Sequence, residues 1–502
     1  MLSSKQNGDI MQYSQKIVKF ITFLCLFLVC WFLFASCTSM PAPKIEAPGD
    51  DKKIDPPKVG IIEEEPSIAQ RKKMNKVEFG TKIHSFLQKD NYNEALSLFS
   101  NREEVEDNVL DDMSTKVLKL SILVSANKTH EALLYAEELE EEEPDNLELL
   151  YCRAMMAQSS GDQKTKDVYL QKILEKHPQD SWAITEQGLD LYSKKNYKMA
   201  KDKFLTVLKH SPKNVEALLG LARVHYMQNK LKDAKANLDL ALKEEPDNSL
   251  VIAEIARIKS ETDKMHEAIA DIKKAIEIDS KIPSHWMDLG LYNMQVGKKN
   301  EAKEAFSHAI ELDSSSYMAF IYRAGINDEI GQYKEAMEDY YNVIKLYPSY
   351  YFAFEGAGIL HIRSKEWNMG AICFREALKK ANDQYHYAIL LAFCLYKDGK
   401  AKEAKNLIKE YIKSIDKDKK ENEYFLTRLF FEQSGDADVG NRIMKVKDKT
   451  TQYRMMFYMG AFYEITNKKT LAEKYYIDVL SAKLPSFIEY RLAQIALDRI
   501  RG

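Results

Sequence analysis

The 502-residue sequence predicts an all-α protein, an α-solenoid of about twelve helix hairpins followed by one last helix. Three observations predict it. Ala132, Ala200, Ala234, Ala268, Ala302, Ala336, Ala404 and Ala472 fall on one 34-residue grid, interrupted only by Lys166, Gly370 and Asp438. A second grid of small residues runs in the same period through Ala154, Gly188, Ala222, Ala256, Gly290, Ala324, Gly358, Ala392 and Gly460. Pro144, Pro178, Pro212, Pro246 and Pro348 mark unit ends in the same phase, where a ring without an N–H cannot continue a helix.

Residues 215–248 show one unit in full. Leu218, Leu221 and Ala222 lie at helical spacing in a first helix, and Ala234, Leu238 and Ala241 in a second. Asn229 separates the two, and Pro246-Asp247-Asn248 ends the pair. Four residues after each alanine stands a larger apolar residue, among them Leu170, Phe204, Leu238, Ile272, Phe306, Tyr340, Phe374, Ile408 and Tyr476. Small residues at two points let paired helices approach, and the larger ones fill the space beside them. Such a hairpin cannot bury both its faces alone and needs neighbours. The pattern resembles the tetratricopeptide repeat (TPR) family, whose unit is a 34-residue helix hairpin. The resemblance covers residues 113–486 as eleven units in one register, and it implies a right-handed superhelix with a concave groove.

The chain opens differently. Residues 1–37 carry Lys16 and Lys19 ahead of an unbroken apolar run from Phe20 to Ala35, the order of a secretory signal. Phe34-Ala35-Ser36-Cys37 resembles the lipobox of bacterial lipoproteins, which implies lipidation at Cys37. The alternative is an uncleaved signal anchor. Both place the remainder on the outer side of a bacterial cytoplasmic membrane or on an outer membrane, in the cell envelope. Residues 38–75 hold Pro41, Pro43, Pro48, Pro56, Pro57 and Pro66 with mixed charge and few large apolar groups, which reads as a disordered tether.

Residues 76–112 read as a divergent first repeat, because the step from Ala95 to Ala132 is longer than the period. Within 113–486 the unit at 419–452 is weak, with Asp438, Arg442 and Lys445 at packing positions, and reads as a loosened joint between two stacks. Residues 487–502 read as an amphipathic helix covering the exposed end.

Composition narrows the function. Lys and Arg total 73 against 76 Asp and Glu, a formal charge of −3 spread evenly, which excludes the clustered basic surface of a nucleic-acid binder. Beyond the leader only Cys152, Cys373 and Cys394 remain, an odd number without a CxxC, which predicts buried free thiols. No histidine pair has metal-binding helical spacing, and there is no phosphate loop or nucleophile elbow. The expectation is a non-catalytic protein without cofactor or metal. The acidic run at 137–143 reads as a solvated helix end.

The resemblance also implies where binding takes place. Positions that line the inner groove in the family fall here on Tyr151, Trp182, Tyr192, Arg223, Tyr226, Arg257, Met287, Leu291, Ile359, Phe393 and Tyr396. Aromatic, Met and Arg side chains are those enriched where proteins bind proteins. The lysines and asparagines of chaperone-binding members are replaced by Met155, Leu189, Arg223, Arg257, Leu291 and Gly325, so that clamp is not expected. The implied function is a membrane-anchored scaffold that docks protein or peptide segments during assembly of an envelope complex. Two alternatives stay open: a module binding peptidoglycan or glycan through its aromatics, and an accessory subunit of an enzyme complex.

Overall fold

Helix breakers and caps recur with the period. Asp112, Asn146, Asp180, Asn214 and Asn248 stand 34 apart, and each side chain accepts a hydrogen bond from a backbone N–H in the first turn of the helix that follows. The tight turn inside each hairpin is equally regular. Asn127, Gly161, Lys195, Asn229, Asp263, Gly297, Gly331, Lys365, Gly399, Gln433 and Asn467 all take left-handed backbone conformation. Asn, Asp and Gly suit that conformation, but Lys195, Lys365 and Gln433 adopt it too, because the stacked helices on either side dictate the turn.

The computed structural model describes residues 73–483 and 487–502. The leader, Cys37 and most of the tether lie outside them. Among the described residues there are 26 helices, forming the expected all-α solenoid of paired helices. None is long and apolar enough to cross a membrane. Typical hairpins pair a 13-residue first helix with a 14-residue second one, as in Val215–Met227 with Leu231–Glu244. Several first helices also touch the first helices of neighbouring hairpins. Val215–Met227 packs on Ser181–Ser193 and on Ser249–Ser260. First helices therefore form an inner layer and second helices an outer one.

The described hairpins group into two compact units, residues 73–288 with 312–314, and residues 289–311 with 315–483 and 487–502. The first unit opens with Lys76–Leu87 and Tyr92–Leu98. An extra short helix, Asp107–Leu110, takes up the longer step. The connection is pinned by Met74, whose N–H donates to the Glu104 carbonyl at 2.7 Å and whose carbonyl accepts from Glu106 N–H at 3.1 Å.

The two small-residue grids meet the large residues as packing requires. Ala132, Ala200, Ala234, Ala268, Ala302 and Ala336 are fully buried. Where the large residue is a ring, its neighbour in the first helix is glycine. A Cβ added to Gly188 or to Gly220 would sit 2.6 Å or 2.5 Å from the Phe204 ring, so the Cε1–Cζ end of that ring packs between two first helices. Gly290 against Phe306, Gly358 against Phe374 and Gly460 against Tyr476 repeat this geometry. Tyr340 departs from it: its ring lies against Gly356 of the next hairpin, while Ala324 occupies its own.

The three grid interruptions have separate causes. Lys166 is only 2% exposed, and its ammonium donates to Glu186 at 2.8 Å and to Asp190 at 3.0 Å. Gly370 makes room for the Cys394 sulfur, 3.1 Å from where a Cβ would be. Asp438 is exposed and pairs with Arg442 at 3.0 Å. Cys152, Cys373 and Cys394 are buried free thiols, and burial pushes the first two up to about 11 and about 12.

One expectation needs correction. Residues 419–452 are no joint. Their helices Glu421–Glu432 and Asp436–Lys445 bury Leu426, Leu429, Phe430, Val439 and Ile443 in the continuous core of the second unit. These helices are shorter than their counterparts, and Tyr385–Lys397 reaches past them to touch Lys449–Ile465 directly. The inner layer therefore curls tightly here. The C-terminal helix, Ile488–Arg501, packs on Lys469–Ser481 and also against Tyr351–Arg363, more than a hundred residues back.

Candidate protein-binding face

In the first unit the inner layer carries a ladder of ion pairs and rings. Arg223 donates through Nε to Glu254 at 2.7 Å. Arg257 bridges, giving Nη1 to Glu254 at 3.1 Å and Nη2 to Asp288 at 3.3 Å. Each arginine thus reaches an acid 31 positions on, one repeat less one helical turn, which brings facing sides of neighbouring first helices together. The Tyr226 hydroxyl donates to Glu261 at 3.2 Å.

The electrostatics follow from this packing. Burial raises the Asp288 carboxyl, with Arg257 opposing. Burial raises the Tyr226 phenol, and Glu261 adds to it. The Tyr192 phenol is likewise raised by burial, with Arg223, Glu254 and Arg257 all close enough to act on it. Tyr192, Arg223, Tyr226 and Arg257 therefore do form one neighbourhood. Trp182 does not join it. It packs edge-on against Tyr151, ring centroids 5.0 Å apart, and the Tyr151 hydroxyl donates to Asp180. All six are half-buried rather than sealed in the core, as are Met287 and Leu291.

Both arginines named as groove positions are already engaged with carboxylates of the same face. Glu254 and Asp288 were not legible as site residues, although the recurring 31-residue spacing from an arginine to an acid is a signal that sequence carries.

Beside the ladder lies His285, 1% exposed, with neither ring nitrogen hydrogen-bonded. Burial lowers its pKa from 6.5 to about 4, with Glu254 opposing and Arg257 assisting. As pH falls the unfolded chain takes up this proton before the folded one does. The contribution of neutral His285 is intact above about pH 6.5 and lost as pH falls toward 4. By pH 5 the loss should reach about 2 kcal/mol. Denaturant melts at pH 7 and pH 5 check this: the drop in stability should be smaller by that amount in His285→Phe.

In the second unit the positions behave differently, and two expectations fail. Ile359 and Phe393 are 0% and 4% exposed, buried in the same core as Leu492, Ile495 and Leu497 of the C-terminal helix. They line no open groove because that helix fills the inner side. Tyr396 is half-buried, and its hydroxyl donates to the Phe430 carbonyl at 2.7 Å. Among the described residues no group of His, Cys, Asp or Glu is placed to hold a metal ion.

Family models named Tetratricopeptide repeat match residues 191–258, 251–282 and 287–351. These stretches are tetratricopeptide repeats. They carry most of the ladder, from Tyr192 to Asp288. A search of curated proteins finds no match. Among solved structures, a tetratricopeptide repeat protein from Parabacteroides merdae is 19% identical over 49% of this chain and 97% of its own, with a TM-score of 0.40. PilF of Pseudomonas aeruginosa is 20% identical over 41% and 94%, with a TM-score of 0.38. YrrB, described as a TPR protein with an unusual peptide-binding site, is 18% identical over 37% and 96%, with a TM-score of 0.28.

Proposed function

We propose that the chain is a non-catalytic scaffold of the bacterial envelope, lipid-anchored at Cys37, that docks a protein segment on the inner face of its first unit. The observation that carries the docking reading is the ladder itself. Half-buried Tyr192 and Tyr226 stand beside Arg223 and Arg257 on consecutive repeats, so apolar rings and fixed charges alternate along one face. Rings on a pre-formed helical surface bury a partner's side chains at little entropic cost. The alternating acids and arginines favour a segment of mixed charge over a polyanion.

The test is Arg223→Gln with Tyr226→Ala, in which glutamine still supplies an N–H for Glu254. Capture of the partner from solubilised envelope should weaken roughly 5- to 150-fold, about 1–3 kcal/mol, while helical circular dichroism is unchanged. Undiminished capture with intact helicity refutes the site. Retention of the parent on purified peptidoglycan, with no captured protein, would favour the glycan reading instead.

The anchor rests on the basic, apolar and small-residue order that ends in Cys37. Cys37→Ala should abolish labelling by a clickable fatty acid and block removal of the leader, seen as a slower-migrating product. A variant processed and labelled like the parent contradicts lipidation at this residue.

A further inference from the structure

The C-terminal helix sits where a ligand would. Ile488–Arg501 packs on Lys469–Ser481 and also lies against the inner-layer helices Tyr351–Arg363 and Lys449–Ile465. Leu492, Ile495 and Ala496 enter the core beside Ile359 and Phe393. Two arginines, eight residues apart and so about 12 Å along the helix, tie its ends. Arg491 pairs with Asp328 on Tyr317–Glu329. Arg499 makes a two-pronged bond to Glu464, at 3.0 Å and 2.7 Å, and its guanidinium lies over the Trp367 and Phe393 rings. The Asp328 and Glu464 side chains are only 8% and 5% exposed, so this face presents carboxylates in apolar surroundings. The fit leaves Oε2 of Glu489 and Nη1 of Arg499 buried without a hydrogen-bond partner. The small-and-large grid that holds the hairpins together, with Ala404, Ile408, Ala472 and Tyr476, belongs to other helices.

We infer that the inner face of the second unit is a receptor for an amphipathic helix, and that the chain's own C-terminal helix is its resident occupant. The partner it fits is a helix of another protein carrying two arginines eight residues apart beside an Ile/Leu/Ala stripe. Asp328 and Glu464 select the arginines, and the apolar wall around Ile359 and Phe393 takes the stripe. Both orphaned polar atoms belong to the resident helix, so its release returns them to water, and a partner helix without them gives up nothing there. The inference rests on the protein-docking reading of the fold but uses a different face from the ladder.

The probe is a fluorescent peptide of the chain's own residues 487–502. The receptor is the full chain carrying Arg491→Ala and Arg499→Ala, which loosens the resident helix. By fluorescence anisotropy the variant should bind the peptide at least tenfold more tightly than the parent. A peptide with both arginines changed to glutamate should lose at least tenfold on the same variant. No binding by a variant that keeps the parent's helical spectrum overturns the inference, and so does equal binding by parent and variant. Hydrogen exchange on the unaltered chain provides a second measurement that needs no substitution. Amides of Ile488–Arg501 should exchange faster than those of Lys449–Ile465; equal rates mean that the helix leaves only when the unit unfolds, which also overturns it. Arg223→Gln with Tyr226→Ala should leave peptide affinity unchanged, so failure at one face is told apart from failure at the other.

Discussion

Replacing Lys166 by alanine should cost about 3–5 kcal/mol, although alanine is the residue that most repeats carry at this position. The lysine is buried, and its ammonium holds two carboxylates, Glu186 at 2.8 Å and Asp190 at 3.0 Å. Burial alone would lower the lysine pKa, but the two acids outweigh it and hold the ammonium above its ordinary range. Glu186 is 6% exposed, so removing its partner strands a charge away from water. Gln163, which donates to Asp190 at 2.8 Å, cannot neutralise it. The loss therefore comes from the acids left behind more than from the bond removed. Lys166→Ala combined with Glu186→Gln and Asp190→Asn should recover most of the stability, since amides tolerate burial far better than carboxylates. Lys82→Ala, which removes an exposed pair with Glu104, should change stability by less than about 1 kcal/mol. Denaturant melts of the four proteins check this, and a Lys166→Ala midpoint equal to the parent's would show that water reaches the pair.

Gly220→Ala and Gly325→Ala should move stability in opposite directions. Both glycines lie within helices, where alanine is ordinarily favoured by about 1 kcal/mol. A Cβ at Gly325 meets nothing within 4 Å, so that gain should appear nearly whole. A Cβ at Gly220 would stand 2.5 Å from two atoms of the Phe204 ring. The ring is fully buried and has little room to retreat, because Gly188 already lies against the same Cε1–Cζ end of it. Overpacking costs about 1–3 kcal/mol and commonly exceeds the propensity gain. The propensity gain is common to both, so the stabilities of the two variants should differ by the overpacking cost, about 1–3 kcal/mol. Adding Phe204→Leu to Gly220→Ala should cost less than the sum of the two single changes, because leucine lacks the ring atoms that the new Cβ would meet. Strict additivity would mean that ring and glycine are not in contact.

Much of this architecture is legible in sequence because each repeat solves the same local problem. Ala234 sits on the grid and is fully buried; Asn229 breaks a helix and takes the left-handed turn. The weak unit was misread for a related reason. Charged residues at 438, 442 and 445 looked like lost packing, yet Val439 and Ile443 between them face the core and the charges face outward. Shortened helices shift which positions are buried, and a fixed period cannot register that shift.

What the sequence determined by itself is whatever depends on neighbours within about one repeat: the hairpin, its turn, and its small and large contacts. What only the tertiary structure decided depends on partners far along the chain. The burial of Ile359 and Phe393, and the pairing of Arg491 with Asp328, involve a helix that arrives several repeats later. The curvature that brings it there sums small rotations at every helix interface. A slight change at each step, such as the short helices at 421–445, moves the far end by many ångströms. Local pattern constrains each rotation only loosely, so their accumulated result is visible in the folded chain and not in the repeat.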